Sequence, residues 1–200
     1  LASLPVVKSE VMGVRAMTEG GTRERILEVA LGLFERQGYA GTSLRDISDQ
    51  LGVTKAALYY HFPSKEALLD AVLTPALTQV RDVLTSDPAD RTELVTRLVD
   101  VVGDVGPQVL VAISDPAIAA HLSRLAGGTP LPEQVAAAIA GPLPADPGEE
   151  AALRVRAACA VACLPAGVRA FRRVNPAASR LDGPTRALLV RTVLAVLRTT

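Results

Sequence analysis

The segment Thr42–Phe62 constrains the fold of this chain more than any other stretch, because it carries a full set of helix start and stop signals. Ser43 followed by Asp46 is a capping-box pattern, in which a hydroxyl and a carboxylate satisfy free N–H groups at a helix start. Gly52 suits the end of that helix, since glycine adopts the left-handed conformation without steric cost. Thr54 can cap a second helix. The segment therefore predicts two short helices joined by a tight turn.

Apolar residues fall on one side of each predicted helix. Leu44, Ile47 and Leu51 are spaced i, i+3, i+7 in the first helix, and Leu58 and Phe62 share a side of the second. At about 100° per residue, the opposite side of the second helix is expected to carry Ala56, Ala57, Tyr60 and His61. Lys55 and Tyr59 are expected on the flank of that side. This is the plan of a helix-turn-helix whose second helix lies in the major groove of DNA.

Four sequence blocks in a fixed order extend this motif: Ile26–Phe34, Gly38–Ser43, Leu58–Lys65 and Glu66–Leu69. Together they resemble the N-terminal domain of TetR-family transcriptional regulators, without a gap over about residues 22–70. A lone helix-turn-helix pattern is weak, whereas four blocks in the right order are specific. The resemblance implies an all-α fold, with a three-helix helix-turn-helix head and a helical ligand-binding and dimerisation domain.

We expect three regions along the chain. Residues 1–21 are predicted to be a flexible N-terminal arm, because they lack periodicity; a minor-groove arm using Lys8 or Arg15 is the alternative. Residues 22–74 form the predicted DNA-binding head. Residues 75–200 form the predicted ligand-binding and dimerisation domain, called the body below.

Further helices are predicted from 3.6-residue periodicity and from proline at first helical positions. In the head, one helix covers Thr22–Gln37, and another begins after Ser64 and continues to about Thr85, with Pro75 kinking or breaking it. Pro165 is expected to kink the long body helix, with two abutting helices as the alternative. The predicted body helices are Pro88–Asp104, Pro107–Ser114, Pro116–Leu125, Pro132–Ala140, Glu149–Val174 and Pro184–Arg198.

The candidate DNA-binding residues divide into two groups. Side chains suited to base edges, since arginine can be bidentate to guanine and alanine contacts a thymine methyl, are Arg45, Lys55, Ala56 and Tyr60. Groups expected at phosphates, which fix the register on the duplex, are Thr42, Ser43, Thr54, Ala57, Tyr59, His61 and Lys65. The plainer alternatives are that Arg45 and Lys55 are solvated charges and that Ser43 and Thr54 are helix caps alone.

The charge balance argues against binding by a general positive field. The chain has 21 basic and 21 acidic residues, and residues 17–74 contain six basic against eight acidic side chains. A global attraction to DNA is therefore not expected, and binding must rely on local contacts and two-fold symmetry.

The resemblance implies a ligand pocket in the body, and its lining is expected to be aliphatic because no aromatic residue occurs between Phe62 and Phe171. Its predicted lining is Val102, Leu110, Ile113, Ile118, His121, Leu122, Cys159 and Cys163. His121 could anchor a ligand or sense pH, or be an ordinary satisfied histidine. The two cysteines could form a thiol switch or be small buried hydrophobes. The predicted dimer interface contains Leu164, Val168, Leu189, Val193 and Val196.

Several functional classes are not expected. No uncharged apolar run reaches the roughly 18–20 residues that span a bilayer, and two cysteines without metal-ligand spacing suit a reduced cytoplasm. No metal, cofactor or catalytic motif is predicted, so an enzyme is not expected. The favoured reading is a homodimeric repressor released from a near-palindromic operator by a small apolar effector. An activator, an unliganded co-regulator, and a protein-interaction module with a degenerate head are the alternatives.

Overall fold

The computed structural model describes residues 19–105, 115–178 and 180–198, and these residues contain helices and no strand. The predicted all-α fold is confirmed. The helices are α1 (Glu19–Gly41), α2 (Leu44–Leu51), α3 (Lys55–His61), α4 (Lys65–Thr85), α5 (Arg91–Asp104), α6 (Pro116–Leu125), α7 (Leu131–Ala140), α8 (Pro147–Val174) and α9 (Gly183–Leu197).

The head is built from α1, α2, α3 and the first half of α4 around one apolar core. Its members have almost no exposed surface: Ile26, Ala30, Leu33, Phe34, Ile47, Leu58, Phe62, Leu68, Leu69, Val72, Leu73 and Ile118. All except Ile118 come from the head helices, and Ile118 belongs to α6. The head core therefore includes a residue contributed by the body.

Gly38 ends the regular part of α1, as the sequence predicts. Its φ of 74° and ψ of 162° are not helical, and they lie in a region that residues with a Cβ rarely adopt. The Thr42 hydroxyl donates to the Gly38 carbonyl at 2.9 Å and so satisfies a group that the helix leaves free. At the other end α1 begins at Glu19, so the last three residues of the predicted arm are helical. The first 18 residues of that arm lie outside the described residues.

Neither internal proline divides its helix. Each of α4, with Pro75, and α8, with Pro165, is a single helix. For α8 this removes the alternative of two abutting helices. Pro75 is exposed, whereas its neighbours Ala76 and Leu77 are buried. The ring therefore takes no space from the core.

In the body, α8 packs mainly against α9 and α7, and α5 packs against α9 and α4. Two contacts fix these helices. Arg186 of α9 donates to Asp100 of α5 at 2.7 Å, and Arg91 of α5 donates to the Ala140 carbonyl at the end of α7 at 2.8 Å. Because Asp90 caps α5, that helix starts three residues later than predicted. The predicted helix Pro107–Ser114 lies outside the described residues.

Four residues predicted at a dimer interface are instead buried inside the chain's own core. Leu164, Val168, Leu189 and Val193 are each at most 7% exposed, and Val196 is half-buried. The apolar stripes of α8 and α9 face each other, since these two helices form the tightest pair of the body. The interface prediction chose the inward stripe of each helix and is wrong for these four side chains.

The outward side of α8 is also apolar. By length and composition alone α8 could cross a membrane, and only 22% of its most apolar stretch is buried. Val155 on this side is 64% exposed, and Leu188 on the adjoining α9 is 54% exposed. Apolar surfaces of this kind are common where proteins contact a partner.

Gly167 allows α8 and α9 to approach closely. A Cβ placed on Gly167 would lie 2.1 Å from Cδ2 of the buried Leu189. We expect Gly167→Ala to destabilise the fold by about 1 kcal/mol, because overpacking costs about 1–3 kcal/mol and the gain in helix propensity returns about 1 kcal/mol. Urea denaturation of both proteins measures the difference.

Gly32 of α1 is the matched control. Its added Cβ would meet only the guanidinium end of Arg36, at 3.1 Å, and that side chain can move. Gly32→Ala should therefore be neutral or stabilising. Equal effects of the two substitutions would show that the Gly167–Leu189 contact does not limit packing.

Candidate DNA-binding site and the adjoining cavity

Both hydrogen bonds of the predicted capping box are present at the start of α2. The Asp46 backbone N–H donates to the Ser43 hydroxyl at 3.2 Å, and the Ser43 backbone N–H donates to the Asp46 carboxylate at 2.7 Å. The pKa of Asp46 is lowered by two hydrogen bonds from Ser43, of which the side-chain bond has the larger effect and the backbone bond the smaller. The carboxylate is thus held as an acceptor at the helix start.

Gly52 forms the turn between α2 and α3. Its φ of 68° and ψ of 29° are left-handed, and its N–H donates to the Asp49 carbonyl. The Val53 N–H then reaches back to the Ser48 carbonyl at 3.1 Å. After this turn the Thr54 hydroxyl accepts the Ala57 N–H at 3.2 Å and starts α3. The sequence predicted both caps and the turn.

One side of α3 is buried and the other is open to solvent. Leu58 has no exposed surface and Phe62 is 2% exposed, so these two side chains anchor the helix to the head core. On the outer side Tyr60 is 74% exposed and Tyr59 is 50% exposed. We call the open side the α3 outer face, and its exposed residues are Lys55, Ala56, Tyr59 and Tyr60. Large exposed aromatic side chains are uncommon in a surface that has no partner.

Arg45 lies on α2, at the side of the α3 outer face. Its side chain is 71% exposed and forms a 3.5 Å ion pair with Asp49 one turn later. Such an exposed pair contributes little to stability, on the order of 0.3–0.5 kcal/mol. The guanidinium can therefore exchange this partner for another acceptor at small cost.

Lys65 is not a free cation. Its ammonium donates to the Tyr39 carbonyl and lies 4.0 Å from the centre of the Tyr39 ring. Partial burial lowers the pKa of Lys65, while Asp115, Glu66 and Asp46 oppose that change. These contacts explain a positive charge in the first turn of α4, where the helix dipole disfavours it.

Thr42 is 2% exposed, so its side chain faces the protein rather than the outer face. Its hydroxyl is already used in the bond to Gly38. Thr42 was predicted to contact phosphate because of its hydroxyl. In the structure that hydroxyl instead stabilises the end of α1. The exposed Ser43 and Thr54 and the half-buried Ala57 and His61 remain near the ends of α2 and α3.

Arg23 is a basic residue beside the candidate site that the sequence did not lead us to select. It is exposed in α1, and its guanidinium carbon lies 5.1 Å from the centre of the Phe62 ring, next to the end of α3. A cation over an aromatic ring is stabilised by about 0.5–1 kcal/mol at exposed sites. A signal was available, because a basic residue near the start of a helix opposes the helix dipole.

The α6 helix ties the body to the head at three points. Asp115 accepts the Tyr39 backbone N–H at 3.0 Å, and Ile118 enters the head core with no exposed surface. His121 bonds to Asp70 of α4 through Nε2. These contacts correct the predicted pocket, because Ile118 and His121 face the head instead of the cavity.

A cavity of about 430 Å³ lies in the body, within the range of ligand pockets. Its wall is almost entirely aliphatic, and no aromatic side chain contributes to it among the residues described. The lining comes from α4, α5, α6, α7 and α8: Leu73, Ala76, Leu77, Val80, Leu98, Val102, Leu122, Leu131, Pro132, Glu133, Val135, Ala136, Ala158, Val161, Ala162, Leu164, Pro165, Ala166 and Arg169.

Of the predicted pocket residues, the structure places Val102 and Leu122 in this lining. Cys159 is exposed and Cys163 is half-buried; both are free thiols outside the lining. They lie on the opposite flank of α8 from Val161 and Pro165, since four-residue spacing keeps them on one side. The predicted Leu110 and Ile113 lie outside the described residues. The contribution of α4 was missed, although its apolar spacing continues past the head.

Comparison with known proteins agrees with this geometry. The family model for bacterial regulatory proteins of the TetR family matches residues 26–72. The transcriptional repressor KstR2 of Rhodococcus jostii is 40% identical over 55 residues, which are 28% of this chain and 27% of that protein. The transcriptional regulator LmrA of Bacillus subtilis is 36% identical over 80 residues, or 40% of this chain and 41% of that protein. The chain thus matches less than half the length of these relatives.

The fold likeness extends over both head and body. The crystal structure of AmtR from Mycobacterium smegmatis superimposes with a TM-score of 0.61 at 21% identity, covering 93% of this chain and 89% of that one. The relatives are named as transcriptional regulators, in agreement with the expectation that this is not an enzyme. Residues 26–72 therefore match the regulatory domain of the TetR family, and the helical fold of the chain is shared with solved structures such as AmtR.

Proposed function

We propose that this chain is a DNA-binding transcriptional repressor that a small effector releases from a near-palindromic operator. The observation that carries the proposal is the α3 outer face, on a helix capped by Thr54 and anchored by Leu58. Two exposed tyrosines and a lysine project from that helix, while its apolar side is fixed in the core. A rigid helix with a projecting polar and aromatic face is what readout in the major groove requires.

Within this site the base contacts are assigned to Arg45, Lys55, Ala56 and Tyr60. The small Ala56 lets the backbone approach the groove, while Arg45 can leave its exposed partner for a base. Ser43, Thr54, Ala57, Tyr59 and His61 are assigned to the phosphate backbone. Arg23 is also assigned to the phosphate backbone, because its guanidinium lies beside the end of α3. Lys65 contributes mainly by fixing Tyr39, with phosphate contact as a second role.

Two copies of the chain would supply the two-fold symmetry that a near-palindromic operator requires. The proposed interface is the outward side of α8 with the adjoining side of α9, including Val155, Cys159 and Leu188. A second copy covers this apolar surface, as subunits in a two-fold dimer do. A dimer also presents two α3 helices, whose half-sites would lie about one helical turn of DNA apart. Because the chain has no net charge, this doubling of local contacts replaces a general electrostatic attraction.

The link from effector to DNA would pass through α4 and α6. Leu73 of α4 belongs to the head core and also lines the cavity, and Leu122 of α6 packs on the head core and lines the cavity. An effector that favours a different separation of these helices would shift the heads relative to the groove spacing. A coupling of about 1–3 kcal/mol would weaken operator binding about 5–150-fold.

Other roles of the same fold remain as second candidates. Activation, or co-regulation without a ligand, uses the same contacts and differs only in the transcriptional outcome. A protein-interaction module that no longer binds DNA is favoured by one observation, the excess of acidic side chains in residues 17–74. We propose that the chain acts in the cytoplasm of a bacterium, which follows from the family match of its head.

Gel-shift titration of the full chain on DNA upstream of its own gene tests the DNA-binding role. We expect a complex with two chains per operator, and an affinity that falls steeply as salt increases. Absence of a complex at low salt, where phosphate contacts are strongest, would support the interaction module instead. A transcription assay with and without the protein then separates repression from activation.

Base and phosphate contacts should respond differently to substitution. Arg45→Ala and Tyr60→Ala should each weaken binding by about 1–3 kcal/mol and relax the preference at particular base pairs. Arg23→Ala should weaken binding to all sequences alike and reduce the salt slope by about one unit. Binding titrations on a set of operator variants at several salt concentrations measure both effects. If all three variants gave the same profile, the division into base and phosphate contacts would be wrong.

Charge placed on the outward side of α8 should separate the dimer. Val155→Asp puts a carboxylate on the proposed interface, and sedimentation velocity should show chains of 20.9 kDa in place of pairs. The control is Val174→Asp, at a residue that is 80% exposed near the end of α8 and lies outside the proposed interface. Dimers that persist in Val155→Asp at low protein concentration would place the interface elsewhere.

A further inference from the structure

The cavity in the body also indicates the chemical class of its ligand. Building on the proposed function, we propose that the effector is an aliphatic carboxylate, with its chain in the cavity and its carboxylate on Arg169. The proposal rests on three features of the cavity: its wall, its two charged residues and the position of those residues at the surface.

The wall fits a flexible hydrocarbon chain. Its side chains are leucine, valine, alanine and proline, apart from Glu133 and Arg169. Such a wall offers burial of apolar surface and almost no hydrogen bonds, so it favours saturated carbon over polar ring systems. Proteins typically recognise a quaternary ammonium group with aromatic faces, and none lines this cavity among the described residues.

The polar end of the ligand is set by Arg169. This residue is exposed, and the alanines at positions 158, 162 and 166 that share its side of α8 are exposed as well. The cavity therefore opens between α7 and α8, with Arg169 at the opening, at the edge of the side of α8 on which the second copy is proposed to lie. Across the described ranges of the chain, Arg169 has no ion-pair partner. Its guanidinium is available to a ligand, and its planar fork matches a carboxylate with two parallel hydrogen bonds.

Glu133 determines the orientation of the ligand. It lies in the first turn of α7, where the helix dipole already stabilises its carboxylate, so it does not need a cationic ligand. It would repel a second carboxylate on its own side of the cavity. The ligand's carboxylate is therefore directed to Arg169 on α8, while its chain extends toward Leu73 and Leu77 of α4.

The probes that test this assignment share a chain and differ in their end group: decanoate, decan-1-ol and decyltrimethylammonium, all below the concentration at which they form micelles. Isothermal titration of the full chain should show decanoate binding at least about tenfold more tightly than decan-1-ol. The cationic probe should bind more weakly than the alcohol. Octanoate and dodecanoate test whether a shorter or a longer carboxylate fits the cavity better than decanoate.

Substitutions at the two charged residues should act in opposite directions. Arg169→Gln should remove the preference for decanoate over decan-1-ol, and Arg169→Lys should retain part of it, since the charge remains but the fork is lost. Glu133→Gln should tighten decanoate binding severalfold, because a like charge is removed. Arg173→Gln is the matched control on the same exposed helix, outside the cavity lining, and should leave binding unchanged. All four substitutions are at exposed positions, so each variant without ligand should have the melting temperature of the unsubstituted chain. This comparison checks that the fold is intact.

Some outcomes overturn the assignment. Equal affinity for decanoate and decan-1-ol, tighter binding of the cationic probe, an unchanged preference in Arg169→Gln, or no binding of any carboxylate in the series would each do so. The gel shift keeps this test separate from the proposed function. If decanoate binds through Arg169 and operator affinity does not change, the ligand class stands and effector release fails. If no operator complex forms at all, the titration still decides the ligand class.

Discussion

The structure depends on the burial of one side of α4 along its whole length. Its first half supplies Leu68, Leu69 and Val72 to the head core, and its second half supplies Val80 and Val83 to the body core. The apolar cores of both parts are therefore closed by the same helix. α3 owes its fixed position to the same arrangement, because the head core that holds Leu58 is completed by α4. A change in the course of this helix cannot be confined to one part of the molecule.

The head could be predicted from sequence because its structure is set by local signals. Ser43, Gly52 and Thr54 each act within three or four residues, so their caps and turn follow from residue type and spacing. The side of α3 that faces solvent follows from the same periodicity. Long-range contacts were not accessible in this way. The Lys65 ammonium on Tyr39 and the Arg23 guanidinium over Phe62 join residues that are distant in sequence, and no periodicity reports them.

The body was predicted less well, for a physical reason. Its helices are rich in alanine, valine and leucine on more than one side, so periodicity does not show which stripe faces inward. Leu164 and Leu189 were for this reason assigned to the dimer interface although they fill the core. The cavity depends on α4, α5, α6, α7 and α8 together, and only packing shows that Val102 and Leu122 share a wall with Leu73 while Ile118 does not.

The close approach of α8 and α9 has a consequence for the evolution of the chain. Gly167 has no side chain, and the space that a Cβ would take is filled by Leu189. These two positions share one volume, so neither can change in size alone without cost. Among related sequences that keep this helix pair, a larger residue at the position of Gly167 should accompany a smaller one at the position of Leu189. The packing of two helices thus becomes a correlation between two columns of a sequence alignment.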